Sequence, residues 1–163
     1  MVEMIPESAK LNINTVPQDE MAKVITALTG DARQAEQITA AILDWRTPSA
    51  GQSAFDAQYL ALGPTFRPSH ASLEEIEELL SVQGVTPELF YGNYVADGQA
   101  QLYAKGGLRD CFSVWGTRGP VDVNGASPAV LEAIGLGPAE IAAILQRRAV
   151  KPLETVLDLQ ALG

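Results

Sequence analysis

The sequence predicts an α+β protein, a small antiparallel sheet carrying a larger helical part. Three observations predict it: apolar alternation near the start with a β-like run over 108–123, short amphipathic helical patterns between and after, and an internal repeat. The 163 residues are enough for one domain or two small ones with a buried core. A hydrophobic content of 47% against 19% charged residues excludes disorder along the whole chain.

In chain order, Val2/Met4 and Leu11/Ile13 alternate with polar neighbours around Pro6-Glu7-Ser8, which predicts a β-hairpin over 1–14. Met21, Val24, Ile25 and Leu28 follow helical spacing up to Gly30. Asp31 caps a second predicted helix, with Ala35, Ile38, Ile42 and Leu43 inward, ending near Trp45-Arg46. Pro, Gly, Ser and Ala crowd 47–71, a loop with one short helix around Phe55–Leu62. Ser72 opens an acidic amphipathic helix with Leu73, Ile76, Leu79 and Leu80 inside, and Ser72 with Glu75 fits a capping box. Thr86-Pro87 opens a short helix through Tyr91, and the glycines of 97–107 predict an exposed loop. Leu108–Val123 reads as strand broken at Gly119-Pro120. Helices over Ser127–Ile134 and Pro138–Arg148 follow, then a short one from about Leu153.

The repeat pairs Leu11-Asn12-Ile13-Asn14 with Val121-Asp122-Val123-Asn124. Each is followed by two short helices around a glycine turn, Gly30 in one and Gly135-Leu136-Gly137 in the other. Ile42–Arg46 then matches Ile144–Arg148, and Ser72–Gly84 matches Pro152–Gly163. Two short amphipathic helices joined by glycine cannot bury their apolar faces alone, so such units pack together.

Charge and cysteine usage narrow the function. Twenty acidic against 11 basic residues give a net charge of -9, which opposes nucleic acid as the main partner. The single cysteine, Cys111, forms no internal disulfide and leaves the compartment open. No run of about 18 apolar residues occurs and no charged-then-apolar leader opens the chain.

Several stretches together carry a family resemblance. Lys10–Thr15, Ala41–Arg46, Gly84–Gly92, and Gly107–Asp110 leading into Val121–Leu131 resemble, in order, four signatures of the K-type minor pseudopilins of type II secretion systems. Any one is weak; the ordered set is specific. The resemblance implies a pseudopilin sheet (1–14), an inserted helical domain (15–107), and a return to sheet followed by a second helix-hairpin-helix-like (SAM-like) unit (108–163). It also implies a structural part, not an enzyme: a tip position that initiates or caps the pseudopilus, with the I- and J-type minor pseudopilins as partners. An N-terminal helix is expected to anchor the full-length protein on the periplasmic side of the inner membrane, and further sheet is expected beyond Gly163.

Sites are few. His70, the only histidine, is read as a solvent-exposed loop residue, and Cys111 as a small buried hydrophobe whose acidic neighbour raises its pKa. Gly135-x-Gly137 and Gly116-x-x-Gly119 lack the lysine and context of a phosphate loop. Calcium enters through the resemblance, since some K-type pseudopilins bind it in the inserted domain; Asp44 and Asp56 are the candidate ligands, but Thr47–Gln52 lacks the acidic cluster calcium needs. Asp44 is alternatively a cap or a partner of Arg46. The rival function is a helix-hairpin-helix nucleic-acid module of the DNA-uptake kind, with Gly135-Leu136-Gly137, Arg147, Arg148 and Lys151 toward phosphate. Acidic residues at Asp31, Glu74–Glu78 and Glu140 oppose it. Trp45, Phe55, Tyr59, Phe66, Phe90, Tyr91 and Tyr94 are either core anchors or a partner surface.

Overall fold

The first long helix, α1 (Gln18–Thr29), starts after Pro17, with Asp19 and Glu20 in its first turn where carboxylates complement the helix dipole. The computed structural model describes residues 5–49, 51–63, 65–96 and 102–160. Met21, Val24 and Ile25 fill the buried stripe of α1, and Gly30 (φ 76°) ends it, donating its N–H to Thr26 at 2.7 Å. Only a residue tolerant of the left-handed region sits there without strain. Asp31 caps α2 (Ala32–Arg46) by accepting from the Arg33 and Gln34 amides at 2.9 and 3.1 Å. Helix α1 packs on both α2 and α6 (Pro128–Ala133), so the two sequence repeats meet in one core running from Ala9 to Leu153.

Short helices α3 (Asp56–Leu62), α4 (Pro87–Tyr91) and α5 (Leu108–Cys111) lie between, and α7 (Pro138–Val150) and α8 (Val156–Gln160) close the described chain. The acidic segment after Ser72 forms a 3-10 helix, Ile76–Ser81, and not the α-helix expected. Glu78 displaces Ser72 from the predicted cap: its Oε1 accepts the amides of Glu74 and Glu75 at 2.6 and 3.2 Å.

The sheet differs more. Strand β1 (Leu11–Asn12) pairs in parallel with β4 (Phe112–Ser113), Leu11 opposite Phe112, while β2 (Asn93–Ala96) and β3 (Leu102–Lys105) form a separate antiparallel hairpin. Residues 7–9 form a 3-10 turn where the first hairpin was expected, and its other arm, Val2/Met4, lies outside the described residues. Two sequence features explain the change. Gly116 lets the chain press on β1: an added Cβ would stand 2.6 Å from the Leu11 carbonyl group. Asn12 then fills its buried position by donating to the Val114 and Gly116 carbonyls at 2.9 and 3.3 Å. Leu108–Cys111 is helical, not strand, because Asp110 turns back to accept the Gly107 amide at 2.8 Å.

The repeat is a repeat of contacts. Asn14 exchanges two hydrogen bonds with the Leu73 backbone (3.0 and 2.8 Å), and Asn124 exchanges the same two with Leu153 (3.0 and 2.8 Å). Arg46 donates to the Ile13 carbonyl and, at 2.8 Å, to that of Val16; Arg148 donates to Val123 and Ala126 at 2.8 and 2.7 Å. The loops between share a turn too, with the Asn14 amide on Asn12 Oδ1 and the Asn124 amide on Asp122 Oδ1, both at 3.0 Å. In each unit one Asn ties down the segment after the hairpin, and one Arg, at the end of the second helix, gathers the carbonyls that precede the first.

Candidate functional site

The segment 47–71 after α2 places the chain's ionisable cluster. Trp45, Tyr59 and Phe66 form its apolar floor: Tyr59 stands edge-on to Trp45 at 5.5 Å and to Phe66 at 5.7 Å between ring centroids. Tyr59 is buried, and its hydroxyl accepts the Gln83 amide at 2.9 Å, which ties α3 to the turn after the 3-10 helix. Above this floor, just ahead of α3, the Ser53 hydroxyl accepts from the Phe55 and Asp56 amides and donates to Asp44 Oδ2 at 3.0 Å. Asp56 returns the contact, Oδ2 accepting the Ser53 amide at 2.8 Å.

His70 completes the cluster, and its environment corrects the expectation of an exposed histidine. Its side chain is 19% exposed, Nε2 lies 3.0 Å from Asp56 Oδ1, and Nδ1 lies 3.0 Å from the Asp44 carbonyl. Its φ of 43° puts a non-glycine residue in the left-handed region, which aims the ring inward from a loop. Partial burial works against charge on the ring. The hydrogen bonds to Asp56 and to the Asp44 carbonyl, with both carboxylate charges, outweigh it and hold the His70 pKa above its ordinary value. The Ser53 amide, opposed in part by burial and reinforced by His70, holds Asp56 below the usual carboxylate range. Asp44 and Asp56 therefore do come together, with His70, and among the described residues no other group of three His, Cys, Asp or Glu side chains does so. Asp44 does not pair with Arg46, whose guanidinium is turned to the Ile13 and Val16 carbonyls.

As a donor set the cluster suits calcium poorly. A calcium ion takes six to eight oxygens. Here one of three side chains offers nitrogen, both Asp56 oxygens already accept hydrogen bonds, and Asp44 Oδ2 is taken by Ser53.

Cys111 is buried against Ser127 (3.2 Å), and burial, more than its Asp110 neighbour, pushes its thiol up to about 12. Both ring nitrogens of His70 are engaged, by the Asp44 carbonyl and an Asp56 carboxylate oxygen.

The surface sorts the aromatics. Trp45, Tyr59 and Phe90 are core, whereas Tyr94, Leu102 and Tyr103 are more than half exposed on the β2–β3 hairpin. A groove of about 530 Å³ separates that hairpin from the start of α6, lined by Tyr91, Tyr94, Lys105, Arg109 and Pro128. The Arg109 guanidinium sits 5.0 Å from the centre of the Tyr91 ring. Trp115, 81% exposed just beyond β4, had no signal in the sequence, since it lies inside the 108–123 stretch read as strand.

Residues 7–91 match the family model described as type II secretion system (T2SS), protein K. A chain in the crystal structure of the GspK-GspI-GspJ complex from the enterotoxigenic Escherichia coli type 2 secretion system is similar in fold, with a TM-score of 0.60 at 22% identity. The match covers 94% of this chain and 55% of that one, so the present chain spans about half its length. No curated protein matches the sequence.

Proposed function

The chain belongs to the protein K family of the type II secretion system, and from that premise we propose that it is an assembly module of a minor pseudopilin. Its partners in this reading are the I- and J-type minor pseudopilins, and its role is to initiate or cap the pseudopilus tip without turnover chemistry. The observation that carries the reading is the fold likeness along 94% of the chain to a protein solved in a complex of that composition. The exposed apolar residues of the β2–β3 hairpin support it, because aromatics are enriched in interface cores. The equivalent Asn and Arg contacts support reading the two units as helix-hairpin-helix-like copies, with 15–107 as an insert between parts of a pseudopilin sheet. No described helix is long and apolar enough to cross a membrane, and the proposed location is the periplasmic side of the inner membrane.

The nucleic-acid alternative lacks a free cradle. Phosphate would be held by the amides at the hairpin turns. In this chain the Asp31 carboxylate accepts the Arg33 and Gln34 amides, and Glu140 accepts the Gly137 amide at 2.7 Å. The expected basic run is engaged as well: Arg147 lies 3.9 Å from Asp158, Lys151 lies 3.3 Å from Glu154, and Arg148 donates to two carbonyls.

The deciding experiment titrates the chain with soluble domains of the I- and J-type pseudopilins from its own genome, with duplex DNA in parallel. Saturable binding to a pseudopilin with none to DNA at physiological salt is the expected result. Salt-dependent DNA binding alone would overturn the reading.

A further inference from the structure

We infer that the Asp44–Asp56 pocket of this chain is a metal-free clamp, closed by the ring of His70 and not by a calcium ion. The inference concerns the stability of the insert and holds whatever partners the chain has.

The geometry carries it. Both ring nitrogens of His70 face acceptors, the Asp44 carbonyl at 3.0 Å and Asp56 Oδ1 at 3.0 Å. A carbonyl and an ionised carboxylate have no proton to give, so each ring nitrogen must carry its own, and the ring is a cation. That cation lies between α2 and α3, joining the end of one to the start of the other, the part a bound metal plays in tying loop to helix. The oxygens left for a metal are too few, because the Ser53 amide and hydroxyl take one oxygen of each carboxylate. No acidic residue lies between Asp44 and Asp56 to supply more. Arg67, whose positive charge reaches Asp56, further disfavours a divalent ion. The left-handed backbone at His70 shows how firmly the position is held, since a non-glycine residue keeps such a conformation only when its surroundings fix it. Tyr59 beneath the cluster brings no charge of its own, as its pKa is raised, first by burial.

The test uses the whole chain. Thermal unfolding is followed with EDTA, with calcium chloride and with zinc chloride, and nitrogen NMR reports the protonation of the His70 ring at neutral pH. The expected result is the same melting temperature under all three conditions and both ring nitrogens protonated. A rise in melting temperature with calcium or zinc, or a ring with one bare nitrogen, overturns the inference. A variant gives a second readout: His70→Gln keeps a neutral hydrogen-bonding group and should lower the melting temperature by about 3 °C. An unchanged melting temperature in H70Q would equally count against the clamp, since no cation would then be holding the pocket.

Discussion

The two units share a scaffold and differ in what hangs from it. In the first, residues 47–72 intervene between Arg46 and Leu73; in the second, only 149–152 separate Arg148 from Leu153. Both units nonetheless reach the same Asn–backbone exchange and the same Arg–carbonyl pair. The shared geometry is therefore the Asn and Arg contacts, and the 47–72 segment is an addition whose Tyr59 and Phe66 pack on Trp45 of α2 and whose Asp56 and His70 meet Asp44 of the same helix. The helices differ also. Six residues of α2 are buried, against Ile144 alone in α7, so the first unit is held by apolar packing together with its Asn and Arg contacts and the second leans on those contacts.

The comparison is broken most strongly at the arginines. Arg46→Ala strips charged donors from the Ile13 and Val16 carbonyls and should cost about 3 kcal/mol, read by denaturant unfolding. Arg148→Ala should cost less, about 2 kcal/mol, because more of its surroundings are open to water. Equal losses would mean that the depth of burial does not separate the units.

The asparagines come next. Asn14→Ala and Asn124→Ala each remove a donor and an acceptor from a single backbone position, and each should cost roughly 2 kcal/mol. Hydrogen exchange should show the loss spreading into 73–82 in the first variant and into 153–160 in the second.

A smaller effect separates the units by pH. The folded pKa of His70 is raised, so its stabilisation is complete below the unfolded imidazole value near 6.5 and is lost as pH rises through the higher folded value. Asp56 is lowered, so its contribution is present above its unfolded value and fades as pH falls through the folded one. Raising the pH from 6 to 9 should loosen amides in 51–63 while those of α7 keep their protection. In acid both units weaken, because Asp158, held low by the Thr155 amide first, then its hydroxyl and the Glu154 amide, loses its role as well.

The smallest effect should be the same in both. Gly30 and Gly135 have φ of 76° and 102° with open space where a Cβ would go. Gly30→Ala and Gly135→Ala should each cost about 1 kcal/mol from backbone strain alone.

The repeat was readable because its working parts are residue types with few uses: an Asn where backbone must be paired, an Arg where a helix ends over carbonyls. The helices over 18–29, 32–46 and 138–150 announced themselves by spacing and caps. Other parts depend on contacts the chain makes at long range. The parallel pairing of β1 with β4 joins residues about a hundred positions apart and rests on one glycine's close approach. The β2–β3 hairpin hid behind a glycine-rich stretch read as loop, since Leu102-Tyr103-Ala104-Lys105 has no two-residue alternation and buries no face. The His70 cluster was the least legible, since Asp44, Asp56 and His70 meet only because the loop bends at a left-handed histidine.

The burial of Cys111 has a practical corollary. The chain's only sulfhydryl is 1% exposed, with its ionisation pushed up to about 12, and so stays unreactive toward maleimides and other thiol reagents at neutral pH. A cysteine placed at Trp115 or Tyr94, both on the outside, would then be the single labelled position without any change to the native residue. A fluorophore or spin label attached there would report on neighbours arriving at that face, with the folded interior left as it is.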